Sequence, residues 1–214
     1  MPARRPGHLC VTTADPIDQG TKCRHASPRP GPTGMSTSLP SANVITFRKL
    51  WENYPSSHPY VDSKGNTPKG FENQCAIKVS AALIGAGQAL ERYQGATVTV
   101  GSARMAIRAE ELAAWLRSNA PLVLRQQHMP ITGKDWQDKI KDKTGVVFFQ
   151  DYWLRPGEKQ PTGDHIDLWN GSRLTASGLE GLAVTALRFG LGINSGPGFS
   201  DLGKAKRIEF WGID

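Results

Sequence analysis

The sequence predicts an α+β domain with helices packed on an antiparallel sheet, and two observations carry that expectation. Helical periodicities come first along the chain, and β-rich runs come largely late. The composition supplies one sizeable core: 38% of the 214 residues are hydrophobic, and 23 glycines bring the apolar share near the roughly 45–50% of ordinary globular domains. Uninterrupted apolar runs are only a few residues long, far below the ~18 that a membrane-crossing helix needs.

The first element is the run VITFRKLWENY, residues 44–54, which spaces Val44, Phe47, Leu50, Trp51 and Tyr54 as on one helical face and ends at Pro55. Residues 57–68 read as loop. The strongest helix follows over 74–93, with Val79, Leu83, Ala86 and Leu90 at i, i+4, i+7 and i+11 as its buried stripe. Gly85 and Gly87 within it cost roughly 1 kcal/mol each relative to alanine, tolerable where close packing needs a small residue. A short strand at 96–100 precedes a second helix over 108–118, which carries Leu112, Trp115 and Leu116 and stops before Pro121. Residues 132–143 (TGKDWQDKIKDK) have the pattern of a surface helix ending at Gly145. Strands are expected at 146–149, 165–169 and 207–211. Between the last two lie an apolar helix, 179–189, and a glycine-rich loop, 190–203.

Residues 1–34 stand apart by composition. They hold Arg4, Arg5, Lys22, Arg24 and Arg29 against Asp15 and Asp18, a net +3 of the total +7, with six of the fifteen prolines and no Phe, Trp or Tyr. Such a segment has too little apolar surface to offset its ordering entropy, and it lacks the roughly 7–15-residue apolar stretch of a signal peptide. It is expected to be a disordered leader before a 35–214 domain: an upstream start ahead of an initiator at Met35, or a basic targeting arm, against which Asp15 and Asp18 argue. The remaining +4 is modest, and its cations are scattered apart from Lys139-Lys141-Lys143 and Lys204-Lys206-Arg207. Those runs read as solvated faces, so no nucleic-acid partner and no membrane insertion are expected.

Cys10 and Cys23 belong to the leader, which leaves Cys75 as the sole thiol of 35–214 and His58, His128 and His165 as its histidines. That inventory excludes an intradomain disulfide and a cysteine-based zinc site; no metal and no cofactor are expected. A lone cysteine on an apolar stripe is ordinarily a small buried hydrophobe. Three features point elsewhere for Cys75, four residues before Val79. In a first helical turn, unpaired N–H groups and the positive dipole end stabilise a thiolate. The same N–H groups suit a developing oxyanion. A histidine, His165, opens a strand late in the chain, which is the order of papain-like cysteine peptidases. His165 would take the thiol proton and then protonate the leaving amine. Asp167, two residues on and therefore on the same strand face, is a candidate to orient the imidazole. Asn73 and Gln74 are candidates for an oxyanion donor, or Asn73 for a helix cap.

The segments FENQCAIKVS (71–80) and GDHIDLWNG (163–171) resemble the fourth family of type VI secretion amidase effectors, as do LWENYP, KTGVVFF (143–149) and IEFW (208–211). The resemblance covers about 42–214 and implies an NlpC/P60-type, papain-like fold. It further implies a peptidoglycan amidase (DL-endopeptidase) delivered into the periplasm of a rival Gram-negative cell. Such an enzyme cuts the bond from γ-D-glutamate to meso-diaminopimelate in cell-wall peptide stems. A cognate immunity protein in the producer is implied as well. Nucleophile and base carry over to Cys75 and His165. In that family an aspartate follows the histidine by about eleven residues; here that place is Thr175-Ala176-Ser177, without a carboxylate. The orienting role therefore falls to Asp167 or to Asn170, or the site is a dyad. Two other classes share these features: an acyltransferase or transglutaminase-like enzyme with the same site, and a non-catalytic binding module whose cysteine is merely buried.

Truncation tests the domain boundary. A chain beginning at Met35 should match the full chain in melting temperature and activity, and a drop of several degrees would show that 1–34 pack against the body.

Overall fold

The computed structural model describes residues 45–124, 128–155, 157–175 and 201–214. The expected leader, the 179–189 helix and most of the 190–203 loop lie outside the described residues. Residues 42–214 make one compact unit.

In chain order the elements are α1 (Phe47–Glu52), α2 (Cys75–Gly85), β1 (Thr97–Val100), β2 (Ala103–Ala106), α3 (Ala109–Val123), β3 (His128–Pro130), α4 (Trp136–Lys139), β4 (Gly145–Trp153), β5 (Gly163–Trp169), a 3-10 turn (Leu202–Lys204) and β6 (Arg207–Gly212). Strands β1 and β2 form an antiparallel hairpin. The main sheet has the order β3-β6-β4-β5, antiparallel throughout.

The run of apolar residues in β4 is explained by burial on both faces. Val146 and Phe148 point to one side, where Leu50 of α1, Val79 and Leu83 of α2, and Leu112 and Leu116 of α3 cover them. Val147 and Phe149 point to the other, under Trp136, Ile140 and Leu202. Each fully buried Leu or Val stabilises the fold by about 1.5–3 kcal/mol. Thr46 caps α1, its hydroxyl accepting from the Lys49 N–H, and the Phe47 N–H donates to the Asp214 carbonyl, which ties the first helix to the chain end.

Several boundaries differ from the sequence expectation. Helix α2 stops at Gly85 rather than near 93, because Gly87 takes φ 94° and closes a C-terminal motif: the Gly87 N–H donates to the Ile84 carbonyl and the Gln88 N–H to the Leu83 carbonyl. Gly85 has a packing reason, since a Cβ there would lie 2.4 Å from the Asn53 side chain. Helix α3 runs through Pro121 to Val123 instead of stopping before it; Leu112, Leu116 and, beyond the proline, Leu124 are buried and anchor it on both sides. The 132–143 helix shrinks to the single turn α4. Only Trp136 and Ile140 of that stretch reach the core, and Asp142 leaves helical geometry at φ 61°. Strand β2 and the short strand β3, which begins at His128, were unsignalled by the sequence.

Gly145 and Gly212 are cross-strand neighbours with opposite tolerances. A Cβ on Gly145 would lie 2.0 Å from the Trp211 carbonyl oxygen, which is backbone and cannot step aside, whereas one on Gly212 meets nothing nearer than 3.7 Å. Gly145→Ala should lower stability by about 1–3 kcal/mol, read from the denaturant midpoint. Gly212→Ala should leave the midpoint nearly unchanged.

Candidate active site

Two side chains fix the start of α2. Gln74, the residue before the helix, is buried and pairs with a backbone rather than capping: its Oε1 accepts from the Tyr60 N–H at 2.9 Å and its Nε2 donates to the Tyr60 carbonyl at 2.7 Å. This clamp pins the loop before the helix, where the Tyr60 and Phe71 rings meet at 4.8 Å. Ser80 donates to the Ala76 carbonyl and accepts from the Ala106 N–H, locking the first two turns of α2 to β2. Cys75 therefore enters the helix at its first position, half-buried, beside β5.

Among the described residues β5 is an edge strand of the sheet, and N–H groups two residues apart point to the same edge. The Ile166 N–H donates to the Cys75 sulfur, and the Leu168 N–H donates to Asp167 Oδ1 at 2.8 Å. Between them His165 hydrogen-bonds the thiol, while its Nε2 lies 3.4 Å from Asp167 Oδ2. The Phe149 ring stacks along the imidazole at 6.3 Å. The structure thus brings together Cys75, His165 and Asp167. It does not bring Asn170: that amide oxygen accepts from the Ser172 and Arg173 N–H groups and closes the turn after β5.

Electrostatics favour charge separation across the pair. Burial pushes the Cys75 thiol up, but the His165 hydrogen bond and charge, with the Ile166 and Ala76 N–H groups, outweigh it, and the thiol ionises below its ordinary value. Burial pulls His165 down, yet the Asp167 bond, the thiol and the influence of Tyr152 raise the imidazole well above its ordinary value. The two shifts, thiol down and imidazole up, together favour a thiolate–imidazolium pair over the neutral pair.

Sequence reasoning did not reach four neighbours. The Thr175 hydroxyl donates to Asp167 Oδ1. The Tyr54 hydroxyl hydrogen-bonds both Asp167 and Thr175, and burial followed by the Asp167 charge holds its phenol well above the usual range. Lys78, buried one turn after Cys75, feels burial that lowers its ammonium and the charges of Asp167 and Cys75 that raise it. Tyr152 lies against His165, ring centroids 6.3 Å apart. Signals existed for two of them: Lys78 is a charged residue on a buried helix, and Thr175 occupies the place searched for a carboxylate. Of the other candidates, the Gln74 amide is engaged by Tyr60 and so does not serve an oxyanion, and Asn73 is exposed and does not cap α2. His58 hydrogen-bonds Thr67, and Trp169 is core, donating to the Ile140 carbonyl. Among the described residues no group of His, Cys, Asp or Glu could hold a metal ion, and no helix is long and apolar enough to cross a membrane.

Helices over an antiparallel sheet, with a helix-borne thiol facing a strand-borne imidazole, define the papain-like class. Residues 71–211 match the family model described as type VI secretion system (T6SS), amidase effector protein 4 (Tae4). The chain belongs to that family and is an amidase effector. Its fold is similar to the crystal structure of Tae4 from Enterobacter cloacae, at 20% identity over 79% of this chain and 97% of that one, TM-score 0.50. It is likewise similar to the Tae4–Tai4 effector–immunity complex of that organism (19% identity, 79% and 99% covered, TM-score 0.50). A third similar structure is the Tae4/Tai4 effector–immunity system of Salmonella typhimurium (15% identity, 79% and 99% covered, TM-score 0.52). None of the curated protein sequences matches this chain. The NlpC/P60-type α+β fold expected from the sequence is the one found.

The thiol's ionisation gives a direct test. Ultraviolet thiolate absorbance should appear at a lower pH than for an ordinary cysteine and disappear as acid takes the pH below the lowered Cys75 value. His165→Ala removes the largest lowering influence, so the transition should move upward; an unmoved transition would show that the imidazole does not set it.

Proposed function

We propose that this amidase hydrolyses the γ-D-glutamyl–meso-diaminopimelate bond of peptidoglycan stems by a Cys75–His165 mechanism, with Asp167 orienting the imidazole. The observation that carries the reading is the thiol at the start of α2 hydrogen-bonded to His165, whose Nε2 faces Asp167. With Nε2 turned to Asp167, Nδ1 is the nitrogen that exchanges a proton with the thiol. The thiolate attacks the scissile carbonyl. The Ala76 N–H serves the sulfur, which leaves the Cys75 N–H, aimed by the helix start, to receive the oxyanion. The tetrahedral adduct collapses as the imidazolium protonates the departing amine of diaminopimelate. His165, now neutral, then takes a proton from water, whose oxygen attacks the thioester and frees the γ-D-glutamyl carboxylate.

Family membership supports the biological setting. The protein is made in the producer's cytoplasm, carried by the type VI apparatus, and acts in the periplasm of a Gram-negative target. A cognate immunity protein of the Tai4 kind binds the effector in the producer, by analogy with the effector–immunity complexes of the relatives. The 35–214 segment carries the whole activity, and 1–34 add nothing to it.

Digestion of purified sacculi, with fragments identified by mass spectrometry, tests the bond and the nucleophile. Wild type should release fragments cut between D-glutamate and diaminopimelate, and Cys75→Ala and His165→Ala should each lose several orders of magnitude, non-additively, while still folded. Cleavage at another bond, or a folded Cys75→Ala that still digests, would overturn the reading.

The third residue is tested on one muropeptide. Asp167→Asn should lower turnover by orders of magnitude with substrate binding nearly intact, whereas Asn170→Ala, which only loosens a turn, should keep most activity. Retention in both variants would leave a dyad held by backbone contacts.

A further inference from the structure

Strand β4 contains a break in register beside the site. From Gly145↔Trp169 to Phe149↔His165 the ladder with β5 is regular, and the next pair is Trp153↔Gly163. Gln150, Asp151 and Tyr152 thus stand against Asp164 alone. Asp151 absorbs the excess at φ 50°, left-handed backbone that residues other than glycine adopt rarely, aspartate more readily than most, and into which its surroundings compel it here. The compulsion is visible: the Asp151 N–H donates to Asp164 Oδ1 at 3.0 Å, and the Lys206 N–H donates to the Gln150 carbonyl at 2.9 Å. Gly163 completes it, since a Cβ there would lie 2.0 Å from the Trp153 indole nitrogen.

The consequence is a change of face. Phe149 and His165 are cross-strand partners on one face of the sheet, and in an unbroken strand Tyr152 would point to the opposite face. The bulge turns Tyr152 back, so that its ring lies 6.3 Å from both the His165 and the Phe149 rings. Along β5 the imidazole is therefore flanked on one side by Asp167 and on the other by Tyr152. The Asp167 side is closed, the carboxylate being 4% exposed and enclosed by Thr175, Tyr54 and the Leu168 N–H. Tyr152 is only partly buried, so among the described residues an approach to the imidazole runs past its phenol.

We infer that Tyr152 is a specificity-determining residue that contacts the amine-bearing residue on the leaving side of the scissile amide, and that the bulge at Asp151 serves to place it there. The inference rests on the hydrolase reading above and extends it to the residue that His165 protonates.

The test compares Tyr152→Ala, Tyr152→Phe, Asp151→Val and Asp151→Gly in the full chain, on a stem peptide and, separately, in alkylation of Cys75 by iodoacetamide across pH. Tyr152→Ala should lower kcat/KM on the peptide by about tenfold or more, chiefly through KM. Its alkylation rate on the thiolate plateau should stay close to wild type, because the small reagent needs only the thiolate; the pH at which that plateau begins shifts only through the lost Tyr152 influence on His165. Tyr152→Phe should fall between the two. Asp151→Val, strained at positive φ, should resemble Tyr152→Ala, and Asp151→Gly, at ease there, should retain more peptide activity than Asp151→Val. Peptide kinetics of Tyr152→Ala equal to an active wild type would overturn the inference, as would a joint fall of peptide turnover and alkylation, which marks mere support of His165. A wild type that leaves every stem peptide intact would overturn the hydrolase reading and this inference with it.

Discussion

An edge strand carries N–H groups that have no neighbouring strand to receive them. In β5 the Ile166 and Leu168 groups are received by a sulfur and a carboxylate, because α2 begins there. The arrangement solves two problems with one contact. The edge is blunted against pairing with another chain, and the thiol gains donors that a helix start alone would not supply. Gln74 and Ser80 keep the helix from sliding along the edge, so the distance from nucleophile to imidazole is set by packing.

Placing carboxylate and imidazole two residues apart on one strand has a mechanical effect. Their relative position depends on a single, hydrogen-bonded stretch of backbone and not on how two strands happen to meet. Asp167 is then held by donors from three directions: its own strand, Tyr54 after α1, and Thr175 beyond the turn. A buried carboxylate with that many donors is held in one rotamer. Lys78, on the neighbouring helix, adds positive charge next to both the carboxylate and the thiol. Thr175 occupies the part of the chain where the family resemblance led to a search for an acid, and it supports one instead.

The placement of Cys75 and Asp167 was legible because it followed from periods: 3.6 residues put the cysteine on the helix's inner stripe, and two put the aspartate on the histidine's face; His165 was reached from the order of elements along the chain. The order of helices and strands was legible for the same reason. What escaped depended on contacts distant in sequence. Nothing local tells that Gln74 will pair with the backbone of Tyr60, or that three residues of β4 will crowd against Asp164. Helix ends escaped where a glycine acted as a stop, as at Gly87, or where the buried Leu124 carried α3 past a proline. The overlong surface helix at 132–143 failed because charged residues give a helical pattern without the apolar stripe that holds a helix down.

The Gln74 amide behaves as a surrogate peptide group, paired in both directions with Tyr60 as one strand pairs with another. The loop is consequently closed at its base, and its span from Val61 to Asn73 is tethered at both ends independently of its own length. Doubling such a loop adds only about 0.6 kcal/mol of closure entropy. The surface beside the thiol is in this way open to insertion and drift, while the nucleophile keeps its register: diversification in one part of the molecule is insulated from the chemistry in another.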